Sequence, residues 1–324
     1  MRVFINGFGR IGRSVLRAWA QEPLRWPGLE VVGINDIATP EMCAHLFEYD
    51  SVFGPWRGTV NLERGALVVN GTAIPINRSA DLSSLDLRGV DVVMECTGRA
   101  DSADVADRGL RAGAQRVLIS GPSQAADVTV VMGANDAALA DQKIVSNASC
   151  TTNALAPLAL LVHQHWGVVT GTMTTIHCYT GSQPTVDAPG ADFARSRAAA
   201  LSMVPTTTSA SRLLDRVLPD LAGRIEGSAV RVPVASVSCV DLAVMTERPV
   251  TVETVNAAFH AAGGVIGVTD RALVSTDLRA RPESIVMATP ETRLTNGGLL
   301  RVFGWYDNEW GFSNRMLDVA QRMA

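Results

Sequence analysis

Residues 2–12 read RVFINGFGRIG, and the fold follows from that stretch. RVFIN is a short run of β-branched and aromatic residues, which predicts a strand. Residues 11–21 carry apolar positions at helical spacing. Between them Gly7, Gly9 and Gly12 form a G-x-G-x-x-G turn. The first glycine permits a tight turn, the second lets a pyrophosphate approach the backbone, and the third lets helix and strand pack closely. The helix N-terminus then offers unpaired N–H groups and a positive dipole end to phosphates. Asp36 follows the next apolar run (29–35, LEVVGIN), at about the 20-residue spacing of an acidic residue that takes the ribose hydroxyls. A carboxylate there repels a 2′-phosphate, so NAD is expected rather than NADP.

Outward from this turn, strand-like runs at 91–95, 116–120 and 143–147 alternate with helical spacing, as at 102–112. Asn70-Gly71 between 67–69 and 72–76 predicts a hairpin. Thr39-Pro40 reads as a helix cap followed by a first-turn proline. The rhythm changes after Cys150. A helix is predicted over 151–165, then longer alternating runs at 168–177, 227–232, 237–246 and 299–306. The expected fold is α/β: a Rossmann-type doubly wound parallel sheet over 1–149, with a C-terminal helix (about 309–324) packed back onto it. An α+β catalytic domain with a mostly antiparallel sheet is expected over 150–308. It carries a long loop at about 178–205, of a length that is usually functional.

Composition narrows the function. Hydrophobic residues make up 47% of the 324, and the formal charge is −4. That supports large cores and argues against a nucleic-acid partner, which selects a basic face. No apolar run approaches the roughly 20 residues of a membrane span, and no signal-peptide pattern opens the chain. The five cysteines form no Cys-x-x-Cys pair or Cys/His cluster, so no metal and a reduced, cytoplasmic setting are expected.

Cys150 lies in SNASCTTNALAPL at a predicted strand-to-helix junction. A thiol there feels the helix dipole, which is expected to lower its pKa. A thiolate nucleophile needs a base within reach. Of five histidines, His177 ends the strand that follows the Cys150 helix, so the two termini can meet at one sheet edge.

INGFGRIGR, SNASCTTN, SRAAALSMVPTTT, AVRVP and WYDNEWGFSNRM resemble segments of the glyceraldehyde-3-phosphate dehydrogenase family, in that family's order and across nearly the whole chain. The resemblance implies a phosphorylating enzyme of glucose metabolism. Its cysteine attacks an aldehyde, its histidine assists hydride departure, and inorganic phosphate releases an acyl phosphate. Cys150 and His177 match those two positions. Arg10, Ile11, Asp36, Arg78, Thr97 and Ser120 match cofactor contacts, Asn308 the nicotinamide carboxamide contact, and Phe312 an aromatic contact that is often tyrosine. Thr180 and Arg231 match the substrate-phosphate site. Ser149, Thr151, Arg195 and Thr208 match the site of the attacking phosphate. Family members are commonly homotetramers whose long loop reaches a neighbour. Ser209, Ala194, Cys178 and Ser123-Gln124 depart from the usual pattern. Alternatives are a hydrolytic erythrose-4-phosphate dehydrogenase, an arsenate-linked relative, and a non-catalytic binding protein on the same scaffold.

Overall fold

RVFIN forms strand β1 (Arg2–Asn6), buried from Val3 onward, as a parallel strand covered on both faces must be. The computed structural model describes residues 1–323 and divides them into two compact units. The first holds Met1–Ala148 with residues 313–323; the second is Ser149–Phe312.

In the first unit, β1 is followed by β2 (Glu30–Asn35), β3 (Val60–Glu63), β4 (Ala66–Val69), β5 (Thr72–Asn77), β6 (Val92–Glu95), β7 (Arg116–Ile119), β8 (Val128–Thr129) and β9 (Ile144–Ser146). They form one nine-stranded sheet in the order β3-β4-β5-β2-β1-β6-β7-β9-β8. From β5 to β8 every pairing is parallel, and the β3-β4-β5 end is antiparallel. The strand order reverses at β1, flanked by β2 and β6, and such a switch point is where doubly wound sheets take ligands. Helices α1 (Arg10–Gln21) and α2 (Pro40–Glu48) follow the first two strands. The Thr39 hydroxyl accepts from Met42 N–H at 3.2 Å and starts α2 as a side-chain cap does.

One helix was expected over 102–112. Two short ones form instead, α3 (Ala103–Ala106) and α4 (Arg108–Arg111), parted at Asp107. Gly109, a poor helix former, lets α4 lie so near the sheet that a Cβ there would stand 2.8 Å from Val117 Cγ2. Phe4, Val93, Val117 and Ile119 pack with Leu82 and Leu87 in the core beneath. Each such side chain contributes about 1.5–3 kcal/mol on burial.

The second unit opens with α5 (Cys150–Trp166), capped where Ser149 Oγ accepts from Thr152 N–H at 3.1 Å, and ended by Gly167 at φ 69°. Its Ala- and Leu-rich surface is buried over most of its length, as in a helix that is apolar all round. Then come β10 (Val168–Cys178), β11 (Val204–Thr206), α6 (Ala210–Val217), β12 (Ile225–Val232), β13 (Ser238–Thr246), α7 (Val252–Ala262), β14 (Ile266–Thr269), β15 (Ile285–Ala288), β16 (Arg293–Leu294) and β17 (Leu299–Tyr306). The sheet order is β11-β12-β10-β13-β17-β15-β14, with β16 on β17. Pairings are antiparallel except β10–β12 and β14–β15. The last helix, α8 (Trp310–Arg322), gives its later turns to the first unit. There Asp318 accepts from Trp26 Nε1–H at 2.7 Å, and Arg322 pairs with Asp136 at 2.9 Å. Among the described residues no helix is long and apolar enough to cross a membrane, and no cluster of His, Cys, Asp or Glu is placed to hold a metal.

The glycine turn is testable at its tightest point. A Cβ on Gly12 would lie 2.1 Å from Gly7 O, a backbone atom that cannot swing aside. Gly12→Ala should cost about 1–3 kcal/mol by overpacking and weaken dinucleotide binding. Gly121→Ala, with nothing within 4 Å of its Cβ position, should do neither. Thermal unfolding and NAD titration of both variants measure this, and equal behaviour would refute the packing role.

Candidate active site

The C-terminal ends of β1, β2 and β6 carry the first unit's candidate site. Gly7 turns the chain at φ 90°, where a side chain would also stand 2.7 Å from Thr97 N. Gly9 precedes α1 without a side-chain cap, and nothing lies within 4 Å of its Cβ position. The first-turn N–H groups of α1 and an accessible backbone at Gly9 together suit a pyrophosphate. Asp36 accepts from Phe8 N–H at 2.6 Å and from Ala38 N–H at 2.8 Å, one on each oxygen. Further lone pairs remain on both oxygens.

A cavity of about 280 Å³ brings together Gly7, Gly9, Asp36 and Thr97 of the expected cofactor residues. Arg10, Ile11, Gly12, Arg78 and Ser120 are not on its wall. The Arg10 side chain pairs with Asp50, and Arg78 donates to Ile37 O at 3.2 Å. Ser120 N–H donates to Glu95 O at 3.0 Å. Three unexpected residues underlie the cavity. Asn35 Nδ2 donates to Asn6 Oδ1 at 2.8 Å, Asn6 Nδ2 to Glu95 Oε2 at 2.5 Å, and Thr97 N–H to Glu95 Oε1 at 2.9 Å. All three are buried. The sequence did hold a signal: each is the polar last residue of a strand and directly follows an apolar run.

In the second unit, Cys150 is the first residue of α5 and His177 the penultimate residue of β10. The turn into α5 is strained, since buried Ala148 just before the cap has φ 55°. Such backbone gathers at functional sites. Cys150 Sγ lies 3.6 Å from His177 Nε2. Both face a cavity of about 630 Å³. Ser149, Thr151, Arg195, Thr208 and Arg231 line it too, so the expected residues of both anion sites meet there, except Thr180. The Thr180 hydroxyl is paired with Ser182 Oγ at 2.9 Å. Arg212, not singled out from the sequence, adds a third guanidinium to the wall. Three arginines among hydroxyl donors suit phosphate oxygens.

Tyr306 was also missed. Its buried hydroxyl bridges Thr151 Oγ1 at 2.9 Å and Thr175 Oγ1 at 2.8 Å. Its ring stands edge-on to His177, with centroids 6.1 Å apart. Thr175 was legible by strand alternation, two residues before His177 on the same face. Arg231 Nη1 lies 2.6 Å from His177 Nδ1. Asn308 is buried beside Cys178 and Ser238, whose Sγ and Oγ donate to its Oδ1 at 3.1 and 3.4 Å. The amide is thereby oriented with Nδ2 as its available end. Phe312 is buried.

Burial corrects one expectation. It pushes the Cys150 thiol above its ordinary range, and outweighs Arg231, the Thr151 hydroxyl and the backbone N–H groups of Thr151 and Cys150, which pull it down. The helix terminus acts in the expected direction but does not prevail. Burial, then Arg231, lower His177 to about 4, against a hydrogen bond to Cys178 O. Desolvation thus works against charge on both partners of the pair.

Two family descriptions match the chain. "Glyceraldehyde 3-phosphate dehydrogenase, NAD binding domain" matches residues 1–103, and "Glyceraldehyde 3-phosphate dehydrogenase, C-terminal domain" matches residues 149–308. A glyceraldehyde-3-phosphate dehydrogenase of Cereibacter sphaeroides is 46% identical over 329 residues, spanning 100% of this chain and 98% of its own. Those of Pseudomonas aeruginosa and Geobacillus stearothermophilus are 46% and 43% identical, with the same coverage. Both halves and the full length therefore agree with the site geometry: the chain belongs to the glyceraldehyde-3-phosphate dehydrogenase family, whose NAD-binding domain it carries.

Proposed function

We propose that this enzyme oxidises glyceraldehyde 3-phosphate with NAD and inorganic phosphate to 1,3-bisphosphoglycerate, through a thioester on Cys150. One observation carries the reading: Cys150 Sγ stands 3.6 Å from His177 Nε2 in a cavity walled by Arg195, Arg212 and Arg231. Sγ bonds to the aldehyde carbon while its proton passes to Nε2 and on to the new alkoxide. The same nitrogen then takes the hydroxyl proton as the C–H electron pair departs. Bound NAD supplies the acceptor for that pair. Phosphate attacks the thioester carbon, the C–S bond breaks, and the thiolate takes back a proton from the imidazolium.

In this reading Arg231, with Thr180, holds the aldehyde's own phosphate. Arg195, Thr208, Ser149 and Thr151 hold the attacking one. The residues of the first unit fit NAD. Gly9 leaves the backbone approachable, Asp36 keeps lone pairs for ribose hydroxyls, and its charge disfavours a 2′-phosphate. Thr97, Arg10, Ile11, Arg78 and Ser120 are assigned the remaining cofactor contacts by position. Asn308, its Oδ1 already engaged, offers Nδ2 to the carboxamide oxygen, and Phe312 an aromatic contact.

A homotetramer is part of the proposal. The long loop exposes Val186, Phe193, Leu201 and Met203, with Phe193 94% accessible. Apolar surface of that kind suits burial against another copy. Light scattering on the purified protein should give four chains per particle, and Phe193→Asp should lower that number; a monomeric wild type would refute it. Five free thiols suit a reducing compartment, and we propose the cytoplasm.

The chemistry has two direct tests. Cys150→Ser should abolish NADH formation with NAD affinity unchanged, and His177→Asn should lower kcat by about 10²–10⁴. Full turnover in Cys150→Ser removes the covalent mechanism, and full turnover in His177→Asn removes the base assignment. A panel of glyceraldehyde 3-phosphate and erythrose 4-phosphate, each with and without phosphate, tests the acceptor. Multiple turnovers should need phosphate and favour the three-carbon aldehyde. Equal rates without phosphate would assign the hydrolytic reaction instead.

A further inference from the structure

At one edge of the second unit's sheet the backbone ladder stops and side chains take over from it. β10, β13 and β17 are neighbours, and their pairing runs out at Ile176–Cys239 and at Ser238–Tyr306. Cys178, the last residue of β10, lies beyond the ladder on the β13 side, and its N–H donates instead to Ser238 Oγ at 3.1 Å. Ser238 Oγ in turn donates to Asn308 Oδ1 at 3.4 Å, and Cys178 Sγ donates to the same oxygen at 3.1 Å. The three residues close a ring of hydrogen bonds, and all three are buried.

The two ends of an amide differ little in shape, so its hydrogen bonds decide which way it faces. Here two donors converge on one acceptor with two lone pairs. That turns Oδ1 toward Cys178 and Ser238 and leaves Nδ2 as the other end. The two donors are unequal. At 3.4 Å the Ser238 hydroxyl is beyond the usual O–H···O span of about 2.5–3.0 Å. A thiol is the weaker donor by nature, but 3.1 Å is a close approach for an atom as large as sulfur. Burial pushes the Cys178 thiol up to about 12, so the proton stays on sulfur and the donor persists. The Cys178 carbonyl, 2.7 Å from His177 Nδ1, belongs to the backbone and is common to any side chain at this position.

We propose that Cys178 is a positioning residue for the cofactor: its thiol holds the Asn308 amide so that Nδ2 is presented to the nicotinamide carboxamide. The inference rests on Asn308 being that contact. Without the thiol, Ser238 alone holds Oδ1 at long range. The amide then turns over part of the time and sets an oxygen against the carboxamide oxygen. The loss falls on the nicotinamide end of NAD alone.

Calorimetric titration of the full-length protein with NAD and with ADP-ribose, which lacks the nicotinamide, separates the two ends of the cofactor. Cys178→Ala and Cys178→Val both remove the donor, the second with the volume filled. Each should weaken NAD by about three- to tenfold, the worth of one hydrogen bond, and bind ADP-ribose as the wild type does. Cys178→Ser keeps a donor and should recover most of the NAD affinity. NAD affinity unchanged in both donorless variants, NAD and ADP-ribose weakened alike, or Cys178→Ser as weak as Cys178→Ala would each overturn the proposal. Asn308→Ala tests the reading beneath it. If Asn308→Ala weakens NAD while the donorless Cys178 variants do not, the positioning role alone fails. If Asn308→Ala binds NAD like the wild type, the carboxamide assignment fails with it.

Discussion

A single buried hydroxyl holds Cys150 and His177 in register. Tyr306 bonds at once to Thr151, the residue after Cys150, and to Thr175, two residues before His177. The first turn of α5 and the end of β10 are thus tied through a third element, β17. Cys150 Sγ and His177 Nε2 reach 3.6 Å because their neighbours cannot drift apart without leaving a buried polar group unpaired. The Ser149 cap and the strained turn at Ala148 serve the same end, by setting where α5 begins.

Burial of this pair has an electrostatic consequence. Desolvation disfavours charge on both partners, raising the thiol and lowering the imidazole. Arg231 bears on both groups. Its charge favours the thiolate while disfavouring the imidazolium, and its donor competes with Cys178 O for Nδ1.

The first unit solves a different problem with the same means. Its three central strands end in Asn6, Asn35 and Glu95, which satisfy one another beneath the glycine turn. A half-satisfied buried network would be costlier than an apolar one. Here the bonds run from Asn35 through Asn6 to Glu95, which also takes the Thr97 N–H. The cavity floor is therefore polar and rigid, while the turn above it has glycine where side chains would clash.

By itself the sequence determined the α/β class, the parallel first sheet, the more antiparallel second, and the Cys150/His177 pair. Those features are written in local patterns: strand alternation, the glycine spacing after RVFIN, and a polar cysteine motif at a helix start. Tertiary structure alone decided the rest. The break of the expected 102–112 helix at Asp107 accompanies the close approach of Gly109 to Val93 and Val117, residues distant in sequence. Arg212, Tyr306 and Glu95 entered the two sites through neighbours brought by the fold. The direction of the Cys150 pKa reversed for the same reason. A helix terminus can be seen in the chain order, but desolvation depends on every group packed around the sulfur, and that is known only once the chain has folded.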